Sequence, residues 1–173
     1  MIMNDGRAKF EKGFLYVLLF TTASLLPFLM NKPPRRDWIF AYFWNAATNI
    51  LLDKIAVQRG WVSYPTRLLP RLFSIHILFD TLLYPTATVI YNQMTRTDKL
   101  FAVVGKVFLF AIPLTVIEVW ADRYTGLIHW GKGWKWYHSL LSVSAKSLWT
   151  RSAVAMFSQW LNRRNADAKL LER

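Results

Sequence analysis

Apolar runs of near bilayer-spanning length, each interrupted by one to three polar or charged residues, constrain this chain more than any other feature. They are Phe14–Met30, Trp38–Val57, Leu72–Met94, Leu100–Trp120 and His138–Leu161. Each falls close to the roughly 17–25 residues that a helix needs to cross hydrocarbon. They predict an all-α fold, a polytopic transmembrane helix bundle of about five spans over residues 14–161, with basic tails at 1–13 and 162–173. A polar group inside hydrocarbon is costly and needs a buried partner or a task. The polar residues within the runs are therefore the functional candidates.

Mean hydropathy is only +0.19 because 22 Lys and Arg residues dilute the apolar runs, and they leave a net charge of +12. These cations sit in short bursts between runs rather than on one stripe, so nucleic acid is not the expected partner. The arrangement suits a bilayer with anionic headgroups, at roughly 1 kcal/mol per basic residue near the surface. The chain has no cysteine, which excludes disulfides and thiolate chemistry. No GxSxG, GxxxxGK[ST] or GxGxxG is present. No cofactor is expected.

The first run follows Arg7, Lys9 and Lys12, as the h-region of a signal peptide would. It is too long for one, and no small-x-small site follows before Lys32, so a retained span is expected. Lys32-Pro33-Pro34-Arg35-Arg36 is a stiff basic connector, because tandem prolines cannot continue a helix. The last run carries Lys146 and Arg151, about 140° apart on a helical wheel. That spread favours a packed span over a helix lying on the interface. Trp38, Trp61, Trp120, Trp134, Trp136 and Trp160 fall at or just beyond run ends, where interfacial aromatics gather.

With five spans, one end (end A) carries the amino terminus and two long connectors, and the other (end B) carries two short connectors and the carboxyl tail. Each end has nine Lys and Arg, so the positive-inside count ties. The denser charge of the short connectors leans the amino terminus outside and the carboxyl terminus into the cytoplasm, in a cell (cytoplasmic) membrane.

Counting ~1.5 Å per helical residue places Asp53, His76 and Glu118 roughly 3–6 Å below end A. By the same count, Asn49, Asp80 and Lys146 lie roughly 12 Å below it. Asn45, Asn49 and Asp53 recur every fourth residue, as do His76 and Asp80, so each set shares one helix face. Turning these faces together would let Lys146 neutralise Asp80. For the Asn45, Asn49 and Asp53 face the first reading is helix packing, and the second is a solute or ion path. His76 beside Asp80 divides evenly between the two, since such a histidine titrates near neutral pH. Glu118 is expected as a boundary residue or a partner of Arg123. Lys106 and Arg151 are expected to snorkel towards end B, and Lys54 towards end A.

His76, His129, His138, Asp53, Asp80 and Glu118 carry metal-ligating atoms, but no HExxH or repeated histidine spacing organises them. No metal is expected. The connector Ala121–Tyr137 interleaves Trp130, Lys132, Trp134, Lys135 and Trp136 with three glycines. Its first reading is an interfacial anchor, and its second is a lid over the shallow polar layer.

Trp61-Val62-Ser63-Tyr64-Pro65, Phe79-Asp80, Tyr84-Pro85, Glu118, Tyr124-Thr125-Gly126-Leu127-Ile128 and Trp134-Lys135-Trp136-Tyr137 together carry a resemblance. Over roughly residues 14–160, the chain resembles an uncharacterised family of small five-span membrane proteins from spore-forming Gram-positive bacteria. The resemblance implies topology and a cytoplasmic-membrane location but no mechanism, and the charged pair Lys146 and Arg151 departs from the family pattern.

Three function classes follow. The leading expectation is an accessory or structural membrane protein engaging lipid, a second copy of itself or a membrane protein partner. The alternatives are a small channel or transporter using Asp53, His76, Asp80, Glu118 and Lys146 as a relay, and a membrane enzyme acting on a lipid or isoprenoid with His76 as base. A polar cavity reaching both ends would point to conduction. A one-sided pocket opening sideways would point to lipid chemistry.

Overall fold

The long apolar runs fold as helices even across Pro27, Gly105 and Pro113, and the connectors between them end the helices. The computed structural model describes residues 5–67 and 74–171. The helices are α1 Asp5–Met30, α2 Arg35–Gln58, α3 Tyr84–Met94, α4 Leu100–Tyr124 and α5 Trp136–Leu171, with a π-helical turn at Phe79–Leu83 leading into α3. Two short strands, β1 Val62–Ser63 and β2 His129–Trp130, pair antiparallel with Val62 opposite Trp130 and Ser63 opposite His129. Among the described residues the fold is all-α apart from this ribbon. Two of its helical stretches, Lys9–Met30 and Leu100–Tyr124, are long and apolar enough to cross a membrane by length and composition. The five runs of the sequence thus correspond to five helices, of which two meet that measure.

Three boundaries differ from expectation. The basic tail at 1–13 is helical from Asp5, because Glu11 anchors that turn by bonding to Thr66 and Gly126. The tail at 162–173 continues α5 to Leu171, since Arg163, Arg164, Ala166 and Ala168 favour helix and no proline or glycine stops them. Residues 1–4 and 172–173 lie outside the described residues. The third run is not one helix from Leu72: residues 72–73 lie outside the described residues, and Ser74–His76 is non-helical.

Pro85 explains how this third segment is built. The Tyr84 N–H bonds to the Phe79 oxygen five residues back, which makes the turn π-helical. Pro85 has no N–H to give either the Thr81 oxygen four residues back or the Asp80 oxygen five back. Side chains from α2 take both: Asn49 Nδ2 donates to the Asp80 oxygen at 3.1 Å, and Tyr42 Oη donates to the Thr81 oxygen at 2.6 Å. The bulge is thereby stitched to α2, and the Asp80 side chain is re-aimed.

The π-turn and α3 sit centrally, packed on α1, α2, α4 and α5. Leu29, Trp38, Ala41, Val89 and Val154 form an apolar cluster towards end B, and Leu15, Leu78, Ala121 and Leu127 form another towards end A. Helices α1 and α4 do not pack along each other, although the Phe14 ring meets Trp120 edge-on at 6.3 Å. The outward faces are apolar, with Phe20, Phe28, Phe43, Leu109 and Met156 all exposed. Polar groups concentrate inside: Asn45, Asn49, His76, Asp80, Thr88 and Thr150 are buried.

Candidate functional site

A chamber of about 380 Å³ lies between the two apolar clusters, inside the range of roughly 300–1,000 Å³ typical of small-molecule sites. Asn45, Asn49, Asp53, His76, Asp80, Glu118 and Lys146 all line it. The seven polar residues chosen from spacing and depth therefore converge on one space. Most of its remaining wall is apolar, with Phe14 and Leu18 from α1, Leu52 from α2 and Ile117 from α4.

The lower part is cross-linked by side-chain hydrogen bonds. Asn45 Nδ2 donates to Thr88 Oγ1 at 2.9 Å and to Thr150 Oγ1 at 3.4 Å, tying α2 to α3 and α5. Asn49 Nδ2 also donates to Asn45 Oδ1 at 2.9 Å. Lys146 donates to Asn49 Oδ1 and, at 3.2 Å, to the Asn45 main-chain oxygen. The expected Asp80–Lys146 ion pair is thus replaced. Lys146 is held by the asparagine face, while Asp80 attracts it only through space. The π-turn is the reason, because it carries the Asp80 carboxyl towards Asp53, within hydrogen-bond reach. A carboxyl–carboxyl hydrogen bond needs one proton between its two groups.

The upper part is aromatic. Tyr64 Oη donates to Asp53 Oδ1 at 2.6 Å, and Tyr84 Oη donates to Glu118 Oε1. Burial and the neighbouring Asp53 push the Tyr64 hydroxyl well above its ordinary pKa, so it remains a donor. Glu118 also reaches Ser139; bonded by Tyr84 and Ser139, it is not the partner of Arg123 that was expected. The His76 ring stands edge-on to Phe79 and Tyr64 at 4.4 and 5.7 Å. His76 is 2 % exposed, and neither of its ring nitrogens has a hydrogen-bond partner. Asp53 Oδ2 and Asp80 Oδ2 also lack partners.

Over the chamber at end A lies the β1–β2 ribbon, in which the two long connectors meet. Trp61 stacks on Trp134 at 5.6 Å, and Trp134 Nε1 donates to Ser139 Oγ at 2.9 Å. Trp134 and Trp61 line the chamber. Of the other connector residues, Trp130 pairs in the ribbon and Lys132 makes the turn over Gly60 at φ 44°. Lys135 and Trp136 are exposed. Gly131 is required here: a Cβ would stand 2.8 Å from the Gly60 oxygen.

The lining side chains that are also exposed lie on the flanks of the bundle: Leu52 and Ile55 on α2, Ser142 on α5, Ile117 and Trp120 on α4. The chamber wall therefore reaches the flank of the bundle on α2, α4 and α5.

Lys106 and Arg151 reach the short connector at end B, Lys106 pairing with Asp98 at 2.6 Å and Arg151 donating to the Thr95 oxygen at 3.1 Å. His129 pairs with Asp122 at 3.4 Å, and His138 Nδ1 accepts from the Lys135 N–H, both away from the chamber. His129 and His138 thus stand apart from the four candidate donors that line the chamber, and among the described residues no group of three is placed to hold an ion.

Sequence reasoning missed Tyr64, Tyr84, Ser139 and Glu11. The two tyrosines stand in the motifs that carry the family resemblance, a signal the depth count does not use. Ser139 and Glu11 gave no such signal, since their roles depend on which segments meet. Comparison with protein-family models, curated proteins and solved structures gave no match.

Proposed function

We propose that the chain is a multi-pass integral membrane protein with five crossings, and that its bundle binds one amphiphilic lipid. The polar head occupies the chamber and the hydrocarbon tail leaves through its side. The carrying observation is the chamber of about 380 Å³, whose polar residues are set in largely apolar walls that reach the exposed flank of the bundle.

The distribution of residues on α2 and α5 supports five crossings. On α2, Asn45 and Asn49 are buried while Ile39, Phe43, Leu51 and Leu52 are exposed. On α5, Ser139, Ser144 and Thr150 are buried while Leu141, Trp149 and Met156 are exposed. Such helices are inside-out for water and correct for lipid. The non-helical Ser74–His76 fits this setting, because Ile75 and His76 are buried in protein. The family resemblance favours the same topology and a cytoplasmic-membrane location, and the denser charge of the short connectors favours the amino terminus outside.

The hydrogen bonds that tie Asn45 to Thr88 and Thr150 across three helices favour binding over conduction. Glu118, held by Tyr84 rather than poised beside His76, favours an accessory lipid-binding role over acid–base chemistry.

The test is native mass spectrometry of the protein extracted in a mild neutral detergent. Wild type should carry one lipid per chain. Val143→Trp, placed in the chamber wall, should lose it, and Leu141→Trp on the exposed face of α5 should not. Equal lipid retention by both variants would sink the reading. Proteoliposome flux abolished by Asp80→Asn would replace it with conduction.

A further inference from the structure

We infer that the head group held in the chamber is a primary amine, as in a long-chain alkylammonium or amino alcohol, rather than a phosphate. The inference rests on the lipid-binding reading above and deepens it.

Hydrogen-bond accounting carries it. Lys146, among the described residues the one cationic side chain lining the chamber, spends two of its three N–H groups on Asn49 and the Asn45 oxygen. Glu118 is taken by Tyr84, and Asp53 Oδ1 by Tyr64. Both nitrogens of His76 are without a partner, and Asp53 Oδ2 and Asp80 Oδ2 receive nothing except the proton that the two carboxyls share. That pair has one donor for two oxygens, and a neutral imidazole offers one donor and one acceptor. His76 and Asp80 are 2 % and 6 % exposed, and each lines the chamber. Buried polar groups require partners, so an occupant that brings donors to the carboxyl pair and the imidazole acceptor is favoured.

Charge points the same way. Three carboxyl groups against one lysine make the chamber acid-rich. Asp53 and Asp80 together hold a single proton in their mutual hydrogen bond, and an alkylammonium can replace that proton with N–H donors to both. A phosphate brings further acceptors and negative charge into a space short of water, where repulsion is least screened.

Chain-matched probes decide it. Dodecylamine, dodecanol and dodecyl phosphate are titrated at equal mole fraction into the full chain in dodecyl maltoside, with binding read by tryptophan fluorescence and thermal shift. The expected result is dodecylamine binding at least tenfold tighter than either other probe, lost in Val143→Trp. Asp53→Asn and Asp80→Asn should each lower the amine-to-alcohol preference at least fivefold. If Asp80→Asn does not fold, Asp53→Asn and the wild-type ranking still decide. Dodecyl phosphate or dodecanol binding as tightly, and lost in Val143→Trp, would overturn the amine while leaving the lipid chamber standing. No probe responding to Val143→Trp would overturn both.

Discussion

Asn49 and Lys146 are bonded directly, the ammonium donating to the Asn49 side-chain oxygen, while the nitrogen of the same amide donates to the Asp80 main-chain oxygen at 3.1 Å. One buried amide thus serves both a cation on α5 and a carbonyl freed by the π-turn. Asn49→Leu strands the Asp80 carbonyl, leaves Lys146 only the Asn45 oxygen, and should cost about 2 kcal/mol. Adding Lys146→Met should recover part of that loss, because the under-bonded cation is then gone. Reversible unfolding in bicelles measures the cycle. Strictly additive losses would show that the two residues act independently.

Tyr42 and Pro85 form a second coupled pair. Tyr42→Phe removes the donor to the Thr81 oxygen and should cost about 1 kcal/mol. Pro85→Ala restores an N–H that can close an α-turn on that oxygen. In the Pro85→Ala background the tyrosine change should cost less than half as much. An equal cost in both backgrounds would reject the stitched-bulge account.

Glu11 fastens α1 at end A, accepting from Thr66 Oγ1 at 2.6 Å and the Gly126 N–H at 2.7 Å. Hydrogen bonds to a buried carboxylate contribute roughly 1.5–3 kcal/mol. Glu11→Ala should therefore loosen the first turns of α1, and trypsin should cut at Lys9 and Lys12 several-fold faster. Gly126→Ala should do the same, since its Cβ would lie 3.0 Å from Thr66 Oγ1 and 3.2 Å from Glu11 Oε2. Unchanged cleavage in both variants would remove the latch.

Tyr64 should make the bundle alkali-sensitive. Its hydroxyl is raised above the ordinary 10.0 by burial first and by Asp53 second. A raised folded-state value means that the folded protein holds this proton more tightly than the unfolded chain does. The associated stability is complete below about pH 10 and declines as pH rises above it. Wild type should thus lose stability above pH 10 more steeply than Tyr64→Phe. Parallel decline in the two proteins, followed by thermal unfolding against pH, would contradict the Tyr64–Asp53 contact.

Hydrophobic run lengths were enough to locate five helices, because a long apolar stretch has few other ways to satisfy its backbone, even across Gly105 or a lone proline such as Pro27 or Pro113. Helical spacing was enough to gather Asn45, Asn49 and Asp53 on one face, and depth counting brought His76, Asp80, Glu118 and Lys146 to the same chamber. Hydropathy alone ranks α2 and α5 below α1 and α4, because it averages over a helix and cannot register that their polar residues point inward.

The pairing of Lys146 escaped the sequence, which offered Asp80 as the nearest opposite charge. Only the tertiary fold could correct it, because the missing N–H of Pro85 turns a single carbonyl towards Asn49 and moves one carboxyl beside another. Glu11, Thr66 and Gly126 meet for a similar reason: distant connectors close over the bundle end, and no local periodicity encodes which of them touch. Periodic patterns fix the elements and the faces they present. Irregular turns set the atoms that finally bond, because their geometry depends on neighbours supplied by other helices.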